Sequence, residues 1–565
     1  MNVKLQHIIE EPYCESLIKA RNLDPDIFLY PNVTNLQDPI NLENIDLAAQ
    51  KIEEYQNKKT LVIVDSDCDG YCSSAILINY LKNIFPDWTL DFAVHERKDH
   101  GLEDIIENMD ISEYKLIILP DAGTNDDFYF NQFPNICFIV LDHHQRSSDF
   151  VNNQPNAIIV NNQLSDKYIN KSLSGGGVTW QFTRYLDKKY NKTFSKKFID
   201  LAAISIISDL MDITTPENQY IISEGLKNIN NIFFKKLFEK VKNKELSPST
   251  ISFYVVPFVN AICRLGTQDE KIRLFLSLTN PFMLVKNNSR KAASSSITDI
   301  DIVTESIREC TNAKARQNRL QEKISMLCKK QIIENDLLKN KILTIVLDEF
   351  FDDIPSEMNG LIAIRIANDL GRPTLIGRVN SDGIMKGSIR GLNTIEKIPS
   401  FKNFLLSSNM FEYIEGHDNA AGFSIPYKKL TKLNNWANEQ LKDIAIDLKT
   451  WFVDFEVDGE EYVSIKNIIT DMNKLKNKWG QNFLEPLIFV KNIPIFDIKI
   501  LGTKQDTIEI KYKDISYMFF KQKKETINLL LNNTDKKINI VGKTNLNVYN
   551  NLVKHQIFIE DYVLI

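Results

Sequence analysis

The chain has 565 residues, with 68 Lys and Arg against 74 Asp and Glu, and a formal net charge of -6. Its length predicts several domains, and seven cysteines without a C-x-x-C pair argue against a disulfide framework and against a zinc ribbon. No apolar stretch approaches the roughly 18 residues of a membrane span, and the first residues lack a signal-peptide layout, so we expect a cytoplasmic protein. A nucleic-acid partner would have to meet a local basic surface.

The first 50 residues carry few signals and are treated as an N-terminal segment, and an α/β pattern begins after them. Apolar runs alternate with helical patterns from about residue 60 to 210, which is typical of a parallel sheet buried on both faces. The predicted strands are KTLVIVDSD, WTLDFAV, YKLIILPDAG, ICFIVLDHH and NAIIVNN, with helices over SSAILINYLKNIF and LEDIIENM. Residues from about 175 are expected to be mainly helical, so one catalytic domain is predicted over 51–297.

The rest of the chain predicts three further parts. Apolar residues from Ile300 to Leu327 keep helical spacing through a charged stretch, which indicates a long connecting helix within 298–337. A second α/β domain is predicted over 338–450, with strands KILTIVLD and RPTLIGRV around the helix NGLIAIRIANDLG. Five β-rich runs, PIFDIKILG, DTIEIKYKD, ISYMFFK, KINIVGK and HQIFIEDYVL, favour a small barrel over 451–565. Residues 471–565 hold 15 Lys and no Arg against 10 acidic residues, so this end is locally basic.

Acidic and histidine residues cluster where apolar runs end. They are Asp65, Asp67 and Asp69 after LVIV, Asp121 after LIILP, Asp142-His143-His144 after FIVL, and Asp209 within AAISIISDLMD. The carboxyl ends of parallel strands meet at one edge of a sheet, and carboxylates that lie close repel unless a cation neutralises them. Carboxylates with an imidazole suit Mn²⁺ or Mg²⁺, and the number of candidate ligands predicts two ions about 4 Å apart that act on a phosphodiester.

Each motif taken alone also has a simple structural explanation. A single strand-end Asp is commonly a helix N-cap, and DHH alone could be a solvated turn. The SGGG run from Ser174 to Gly177 could offer backbone N–H groups to a phosphate or could mark a tight contact between helix and sheet. Cys68 and Cys72 are expected to be packing residues, because acidic neighbours disfavour a reactive thiolate.

The order of these motifs resembles the DHH phosphoesterase superfamily. DxDxDG is followed by DAG, DHH, SGGG and an Asp in a helix, and the chain is most similar to the RecJ family of 5′-to-3′ single-strand exonucleases from about residue 60 to the end. The segments that carry this resemblance are HERKDHGL, PFVNAICRLG, NAKARQNRLQE, KGSIRG, GHDNAAG and WGQNFLEPLIFVKNIPIF. The implied fold is α/β, with a parallel-sheet DHH domain, a long connecting helix, a DHH-associated domain over 338–450 and a C-terminal OB-fold.

The resemblance implies a role for each residue of the acidic edge. The direct metal ligands would be Asp67, Asp69, Asp121, His143 and Asp209, with Asp65 as a ligand or its close support. Asp142 would orient His143 through the other ring nitrogen. His144 would contact the scissile phosphate or manage the proton of the leaving oxygen.

The resemblance and the residue chemistry together suggest substrate-binding groups. Ser388 and Arg390, beside a flexible Gly387, offer a hydroxyl and a bidentate donor for a phosphate at the 5′ end. The other candidates are Arg97, Asn260, Arg264 and His417. Surface salt bridges are the alternative for Arg97 and Arg264, and a buried core position is the alternative for His417.

Two departures from the RecJ pattern concern 5′-end recognition. Gly391 follows Arg390 where RecJ proteins usually carry a further small or hydroxyl residue, and SEMNGLIAI replaces the usual W-H-x-G-V entry to the preceding helix. All the expected metal ligands are present, so the departures concern the second domain alone.

The leading hypothesis is a Mn²⁺- or Mg²⁺-dependent exonuclease that degrades single-stranded DNA from its 5′ end in recombination, repair or replication. The expected partners are single-stranded DNA, with RNA and replication or repair proteins as further candidates, no membrane, and a monomeric state. Tyr517, Phe519 and Phe520 are candidate stacking residues of the barrel. Two alternatives stay open: a phosphodiesterase of short oligoribonucleotides or cyclic dinucleotides, and a non-catalytic replication scaffold.

Overall fold

The computed structural model describes residues 1–97, 100–146, 155–241, 245–286, 299–347, 355–392, 398–444, 450–549 and 552–565. The chain divides into two compact units. One unit contains Leu23–Gln317 and Asn477–Leu484, and the other contains Met1–Asn22, Asn318–Lys476 and Glu485–Ile565. No helix among the described residues is both long and apolar enough to cross a lipid bilayer.

The N-terminal part contains one short strand and three α-helices. They are β1 (Asn2–Leu5), α1 (Tyr13–Ala20), α2 (Pro25–Leu29) and α3 (Ile45–Glu54). Asp24 caps α2 by accepting hydrogen bonds from the N–H groups of Asp26 and Ile27, which is the usual role of an Asp before a helix.

A five-stranded parallel sheet follows, as the apolar runs predict. Its elements are β2 (Thr60–Val64), α4 (Cys68–Ile84), β3 (Leu90–Val94), α5 (Glu103–Asn108), β4 (Leu116–Pro120), α6 (Asp127–Gln132), β5 (Cys137–Asp142) and β6 (Ala157–Asn161). The strand order is β3-β2-β4-β5-β6, and every pair is parallel. Every residue of β2, β4 and β5 is buried, so these strands are apolar because helices cover both faces. The order reverses between β2 and β4, and their carboxyl ends meet at that point.

Helices dominate residues 175–279. They are α7 (Gly175–Tyr190), α8 (Ile199–Ser208), α9 (Pro216–Lys227), α10 (Ile232–Glu239), α11 (Pro248–Tyr254), α12 (Val256–Leu265) and α13 (Gln268–Thr279), followed by the strand pair β7 (Leu284–Lys286) and β8 (Asp299–Asp301). The predicted long helix is α14 (Ile302–Glu334).

The second α/β part forms a mixed five-stranded sheet. Its elements are β9 (Leu343–Val346), α15 (Asn359–Leu370), β10 (Thr374–Val379), β11 (Ile384–Arg390), α16 (Phe401–Leu406), β12 (Tyr413–His417), β13 (Ala420–Pro426) and α17 (Leu430–Gln440). The order is β12-β13-β11-β10-β9, in which only β9 and β10 are parallel. The two strands and the helix predicted here are confirmed.

The C-terminal part forms a mixed seven-stranded sheet. Its elements are β14 (Thr450–Val453), β15 (Phe455–Asp458), α18 (Tyr462–Asn473), β16 (Leu487–Pro494), β17 (Ile498–Leu501), β18 (Thr507–Tyr512), β19 (Ile515–Phe519), α19 (Lys524–Leu531), β20 (Lys537–Tyr549) and β21 (Leu552–Leu564). The strand order is β15-β16-β20-β21-β19-β18-β17. Each of the five predicted β-rich runs contributes a strand. β14 pairs separately with β1 in parallel, so residues 1–22 group with this part of the chain.

Candidate active site

The acidic residues lie at the carboxyl ends of three neighbouring strands. Asp65 directly follows β2, Asp121 directly follows β4, and Asp142 is the last residue of β5. All three residues are 1–2% exposed. This edge is where the order of a parallel sheet reverses, a place where open α/β sheets commonly bind ligands.

The turn after β2 brings the DSDCDG carboxylates together. Asp67 is the N-cap of α4, and its Oδ1 accepts hydrogen bonds from the N–H groups of Asp69 and Gly70, at 2.8 and 3.2 Å. A Cβ atom on Gly70 would lie 2.4 Å from the Cβ of Asp65. Gly70 therefore allows the helix to start directly against the end of the strand. Asp67 combines the N-cap role with a place in the acidic cluster.

The SGGG segment binds a carboxylate of the chain itself. The N–H groups of Gly175 and Gly176 donate to Oδ2 and Oδ1 of Asp69, at 3.0 and 2.9 Å. Oδ1 also accepts hydrogen bonds from the hydroxyls of Ser205 and Ser73. The first amides of α7 thus hold Asp69, rather than the phosphate considered from the sequence. A carboxylate oxygen of Asp69 also lies within 4.8 Å of ligand atoms of His143 and Asp209.

His143 joins two acidic segments. Its Nε2 lies 3.3 Å from Oδ1 of Asp121 and 3.4 Å from Oδ2 of Asp209. Asp121 has a left-handed backbone, with φ of 70°, which directs its side chain into the cluster straight after the strand. Asp209 caps the carboxyl end of α8, so this helix carries the last acidic group to the sheet edge.

Asp142 orients a different histidine from the one expected. Its Oδ1 lies 2.7 Å from Nδ1 of His144 and accepts hydrogen bonds from the backbone N–H groups of His143 and His144. Its Oδ2 accepts from the N–H of Thr124 at 3.0 Å. The expectation that Asp142 holds the ring of His143 is therefore corrected: the side-chain bond goes to His144, because the chain turns after β5 and folds that ring back onto the carboxylate.

The contact between Asp142 and His144 shifts the pKa of both groups. Burial would raise the pKa of Asp142, but the charge of His144 and its hydrogen bond hold that pKa well below its usual range. Burial would lower the pKa of His144, whereas Asp142 raises it to about 10. Since Nδ1 faces Asp142, the Nε2 atom of this half-exposed ring points away from the carboxylate.

Two histidines that the sequence analysis did not single out lie beside Asp65. His100 Nδ1 is 2.8 Å from Asp65 Oδ2, and the buried His95 has its Nε2 4.0 Å from Asp65 Oδ1 and its Nδ1 3.3 Å from Asp104. Both histidines come from the quoted HERKDHGL segment. Four of the seven histidines of the chain thus lie in or beside the cluster. Histidine is rare in this sequence, so two histidines within the eight residues of HERKDHGL were a signal that could have identified them.

The side-chain atoms of the described residues form three groups that could hold a cation, one of which joins Asp121, Asp142, His143 and His144. Donor atoms of Asp65, Asp67 and Asp121 lie within 4.8 Å of one another, and so do those of Asp69, His143 and Asp209. Within the described part of the chain, nothing donates a hydrogen bond to the buried Oδ1 atoms of Asp65 and Asp121. All six predicted ligands are therefore brought together.

The pKa values of this cluster show the cost of crowding carboxylates. Burial and the charge of Asp67 raise the pKa of Asp69 to about 6. Burial and the charges of Asp69 and Asp67 also raise the pKa values of Asp121 and Asp209 well above the usual range. Neutralisation by protons or by cations would relieve this repulsion.

The remaining candidates of this unit differ in their surroundings. Asn260 Oδ1 accepts a hydrogen bond from the N–H of Cys68 at 3.0 Å, so this residue supports the start of α4. Arg264 is half-buried one turn further along α12, and Arg97 is exposed. Cys68 and Cys72 are buried, and burial together with Cys68 raises the pKa of Cys72, which fits packing residues.

The candidates of the second sheet share one face. In the β11-β13-β12 ladder, Arg390 pairs with Ala420, and Ala420 pairs with His417. Residues directly opposite each other point to the same face, and so do positions i and i+2 of one strand. Ser388 therefore lies on this face beside Arg390, with Gly422 opposite it. His417 is exposed, which excludes the core position considered as its alternative.

The glycines around KGSIRG allow close backbone contacts. A Cβ atom on Gly387 would lie 2.0 Å from the carbonyl oxygen of Ile376 in the neighbouring strand, so Gly387 serves strand packing rather than flexibility. A Cβ on Gly391 would lie 2.0 Å from Oδ1 of Asn419, and Gly391 N–H donates to the Asn419 carbonyl at 2.9 Å. The unusual Gly391 thus fits the turn that follows His417.

The three aromatic candidates of the C-terminal sheet differ in exposure. Tyr517 is fully buried and Phe519 is 8% exposed, so both belong to the core rather than to a stacking surface. Phe520 is 44% exposed and packs edge-on against Phe558. It alone of the three is placed to meet a base.

Two family models match the chain. The model described as the DHH family, N-terminal domain, matches residues 59–206, and the model described as the RecJ OB domain matches residues 453–561. These matches confirm the predicted DHH resemblance and the OB-fold at the C-terminal end.

Curated relatives match over nearly the whole chain. The protein named "Putative SPbeta prophage-derived single-strand DNA-specific exonuclease YorK", from Bacillus subtilis strain 168, is 34% identical over 556 residues, covering 94% of this chain and 93% of the relative. The single-stranded-DNA-specific exonuclease RecJ of the same organism is 23% identical, covering 97% of this chain and 68% of the relative.

A solved structure has the same fold. RecJ from Thermus thermophilus, crystallised in complex with Mn²⁺, matches with a TM-score of 0.73 and 18% identity, covering 100% of this chain and 79% of that chain. Together with the 34% identity to YorK over nearly the full length of both proteins, the likeness shows that the chain belongs to the RecJ family of DHH proteins.

Proposed function

We propose that this chain is a divalent-metal-dependent exonuclease that hydrolyses phosphodiester bonds of single-stranded DNA from the 5′ end, in DNA recombination, repair or replication. The observation that carries this proposal is the meeting of six potential ligands at one edge of a parallel sheet. The names of YorK and RecJ as single-strand DNA-specific exonucleases support the choice of substrate.

The donor set fits Mn²⁺ or Mg²⁺. Five carboxylates and one imidazole are hard or borderline ligands, which suit these ions better than thiolate-binding metals. The Oδ1 atoms of Asp65 and Asp121 are buried, and no described residue donates a hydrogen bond to them, a situation that costs free energy unless a cation is nearby. Two of the groups of ligand atoms support two ions, one held by Asp65, Asp67 and Asp121, and the other by Asp69, His143 and Asp209.

The metal ligands and His144 are proposed to have different roles in hydrolysis. When bound, divalent ions neutralise the charge of a phosphodiester and make a water molecule a better nucleophile. The helix amides and hydroxyls around Asp69 fix that carboxylate so that it does not have to reorganise. Asp142 holds Nδ1 of His144, which leaves Nε2 to carry a proton to the leaving oxygen or to bind a phosphate oxygen.

The second sheet supplies groups for a terminal phosphate. Arg390 and His417 lie in one cross-strand row with only Ala420 between them, and Ser388 lies on the same face with Gly422 opposite. The two small residues leave room above β13 for an anion. A guanidinium, a hydroxyl and an imidazole around such a space match the oxygens of a phosphate. Recognition of a 5′ phosphate would give the enzyme its polarity. Arg97 and Arg264 are proposed as further phosphate contacts.

The OB domain is proposed to hold the rest of the strand. The last 95 residues of the chain carry 15 Lys and no Arg, and these lysines would contact phosphates with little dependence on base sequence. Phe520 precedes three lysines, Lys521, Lys523 and Lys524, and all four side chains are exposed. Base stacking on an aromatic ring beside such charges is typical of proteins that bind single strands. The same proposal includes RNA and replication or repair proteins as further partners. It also includes a monomeric state.

A digest of end-labelled polynucleotides tests this function. Single-stranded DNA and RNA labelled at the 5′ or the 3′ end would be incubated with Mn²⁺ and with Mg²⁺. We expect a 5′ label on single-stranded DNA to appear at once in the smallest product, while a 3′ label stays in slowly shortening strands. Asp67→Ala should abolish hydrolysis but leave DNA binding measurable, and Asp46→Ala, at an exposed position of α3, is the matched control.

Other outcomes would replace the proposal. Rapid cleavage of dinucleotides with little action on long strands would identify a phosphodiesterase of short substrates. DNA binding without hydrolysis under any metal would identify a scaffold. Full turnover by the Asp67→Ala variant would disprove the ligand assignment.

A further inference from the structure

The half-exposed His100 has the same local arrangement as His144. His100 Nδ1 lies 2.8 Å from Asp65 Oδ2, and His144 Nδ1 lies 2.7 Å from Asp142 Oδ1. The two side chains are 50% and 46% exposed, whereas both carboxylates are buried. Each ring is therefore fixed through Nδ1 on the side of its carboxylate, and its Nε2 lies on the opposite side of the ring.

The two rings lie close to each other at the same site. Their centroids are 6.1 Å apart, and the ring of His144 is 4.4 Å from that of His143. Burial and the charges of Asp69 and Asp67 raise the pKa of Asp209, while His144 and His100 both lower it. Both imidazoles therefore act on the same carboxylate of the cluster.

The backbone that follows His100 is built to hold it. Gly101 has φ of 79°, and a Cβ atom there would lie 2.4 Å from Oδ2 of Asp126. The same oxygen accepts a hydrogen bond from the N–H of Leu102 at 2.9 Å. Helix α5 begins at Glu103, directly after this turn. His100 is thus presented by an anchored turn.

We propose that His100 is a second substrate-contacting histidine, which binds an oxygen of the scissile phosphodiester through Nε2 beside His144. This inference rests on the proposed function and adds a residue to it. With ring centroids 6.1 Å apart, the two imidazoles are close enough to contact oxygens of the same phosphodiester group. A contact of this kind acts on the charge that develops during phosphoryl transfer.

The competing explanation is that His100 only orients Asp65. In that case its loss would weaken metal binding, and a higher metal concentration would restore the rate. A substrate contact predicts the reverse pattern, with metal affinity preserved and the reaction slowed at saturating DNA. Metal affinity and rate therefore have to be measured on the same variants.

The test compares His100→Ala and His100→Gln with wild type, with His7→Ala as the control for loss of an imidazole elsewhere. Single-turnover cleavage of 5′-phosphorylated single-stranded DNA would be followed with Mn²⁺, and Mn²⁺ affinity would be measured without DNA by electron paramagnetic resonance. We expect His100→Ala to slow cleavage about tenfold or more, as loss of a transition-state contact does, with Mn²⁺ affinity unchanged within about threefold. His100→Gln should recover part of the rate, because its amide can still donate.

A cleavage rate equal to that of wild type would overturn the proposal, and so would a loss of rate that disappears when Mn²⁺ is raised. A separate arm measures binding of the same oligonucleotide in Ca²⁺ by fluorescence anisotropy. If the wild-type protein binds the oligonucleotide but does not cleave it, the proposed function fails. The binding measurement then still decides whether His100 contacts the substrate. Weaker binding by His100→Ala than by His7→Ala would support the contact, and equal binding would refute it.

Discussion

Gly175 lies in direct contact with Asp121, because a Cβ atom on this glycine would lie 2.2 Å from Oδ1 of the carboxylate. Gly175 is the first residue of α7, and its N–H group donates to Asp69. The start of one helix thus touches two carboxylates that follow different strands of the sheet. Any side chain at position 175 would push Asp121 out of the cluster.

Gly175→Ala should therefore damage the acidic cluster more than the fold. We expect Mn²⁺ affinity to fall at least about tenfold, and the free energy of unfolding to drop by about 1–3 kcal/mol, as overpacking usually does. Gly225→Ala is the matched control, because its Cβ would lie 2.6 Å from that of Ala203 in a packed helix pair away from the carboxylates. Calorimetric titration with Mn²⁺ would measure the affinity, and urea unfolding would measure the free energy of unfolding. Equal losses of Mn²⁺ affinity in the two variants would contradict the assignment.

The sequence was sufficient to predict the strands and the acidic edge. β2, β4 and β5 are apolar at nearly every position because both faces are covered, and runs of that kind are read directly from the chain. Their carboxyl ends had to meet once the sheet was parallel. The grouping of Asp65, Asp121 and His143 therefore follows from local patterns.

Contacts between distant segments could not be predicted in the same way. The binding of Asp69 by Gly175 and Gly176 joins residues more than 100 positions apart, and nothing in SGGG distinguishes a carboxylate from a phosphate as its ligand. The ring bonded by Asp142 depends on how three residues turn after β5. β15 and β16 were missed as well, although FEVD and LIFV are apolar or alternating runs, and their pairing joins Phe455 to the distant Ile488.

Metal binding should strengthen as the pH rises. In the metal-free fold the pKa of Asp69 is raised to about 6, and those of Asp121 and Asp209 are raised too. A carboxyl with a raised folded-state pKa destabilises the fold when it is ionised, and this penalty is relieved as the pH falls through the folded pKa. Protons and Mn²⁺ then compete for the same oxygens, so apparent Mn²⁺ affinity should fall about tenfold per pH unit for each proton displaced below about pH 6.

Thermal unfolding with and without MnCl₂ between about pH 5.5 and about pH 8 would measure this effect. We expect the increase in Tm caused by Mn²⁺ to be small at the acidic end of this range and large at the basic end. Asp67→Ala gives the background increase in Tm that does not come from the cluster. An increase that is independent of pH would argue that these carboxylates do not bind the ion.

Asp142→Asn should impair catalysis through the ring of His144. The carboxylate accepts hydrogen bonds from three backbone N–H groups and lies 2.7 Å from Nδ1 of His144. The side-chain amide of the Asp142→Asn variant has one oxygen and one NH₂ group, and the NH₂ group cannot accept hydrogen bonds from these donors. The ring of His144 would therefore lose its fixed partner. We expect the rate to drop by about 100-fold or more, as when a histidine loses its orienting carboxylate. Single-turnover kinetics at saturating Mn²⁺ would test this, with Asp127→Asn as a control in the half-buried ion pair with Arg146. A rate within about twofold of wild type would exclude the role.

Arg390→Lys should weaken the preference for a 5′ phosphate. A lysine keeps the charge but loses the planar pair of donors, so the two phosphate oxygens are no longer bound together. We expect the ratio of kcat/KM for 5′-phosphorylated and 5′-hydroxyl single strands to fall about tenfold, which corresponds to loss of one charge-assisted hydrogen bond. Arg378→Lys is the control. Arg378 lies on the neighbouring strand β10, opposite Lys386, and Lys386 is four residues before Arg390 on β11. An unchanged ratio in Arg390→Lys would remove this face from 5′-end recognition.

Phe520→Ala should weaken single-strand binding without unfolding the OB domain. Phe520 is 44% exposed beside three lysines, whereas its neighbour Tyr517 is fully buried. Loss of one stacked base should cost about 1–3 kcal/mol of binding free energy, while Tyr517→Ala should cost about 3–5 kcal/mol of folding free energy. Fluorescence anisotropy with a long oligothymidine in Ca²⁺, together with urea unfolding, would separate the two effects. Phe496→Ala is the control, since this ring is 66% exposed in the same part of the chain. If Phe496→Ala and Phe520→Ala lost equal affinity, stacking would not be localised at Phe520.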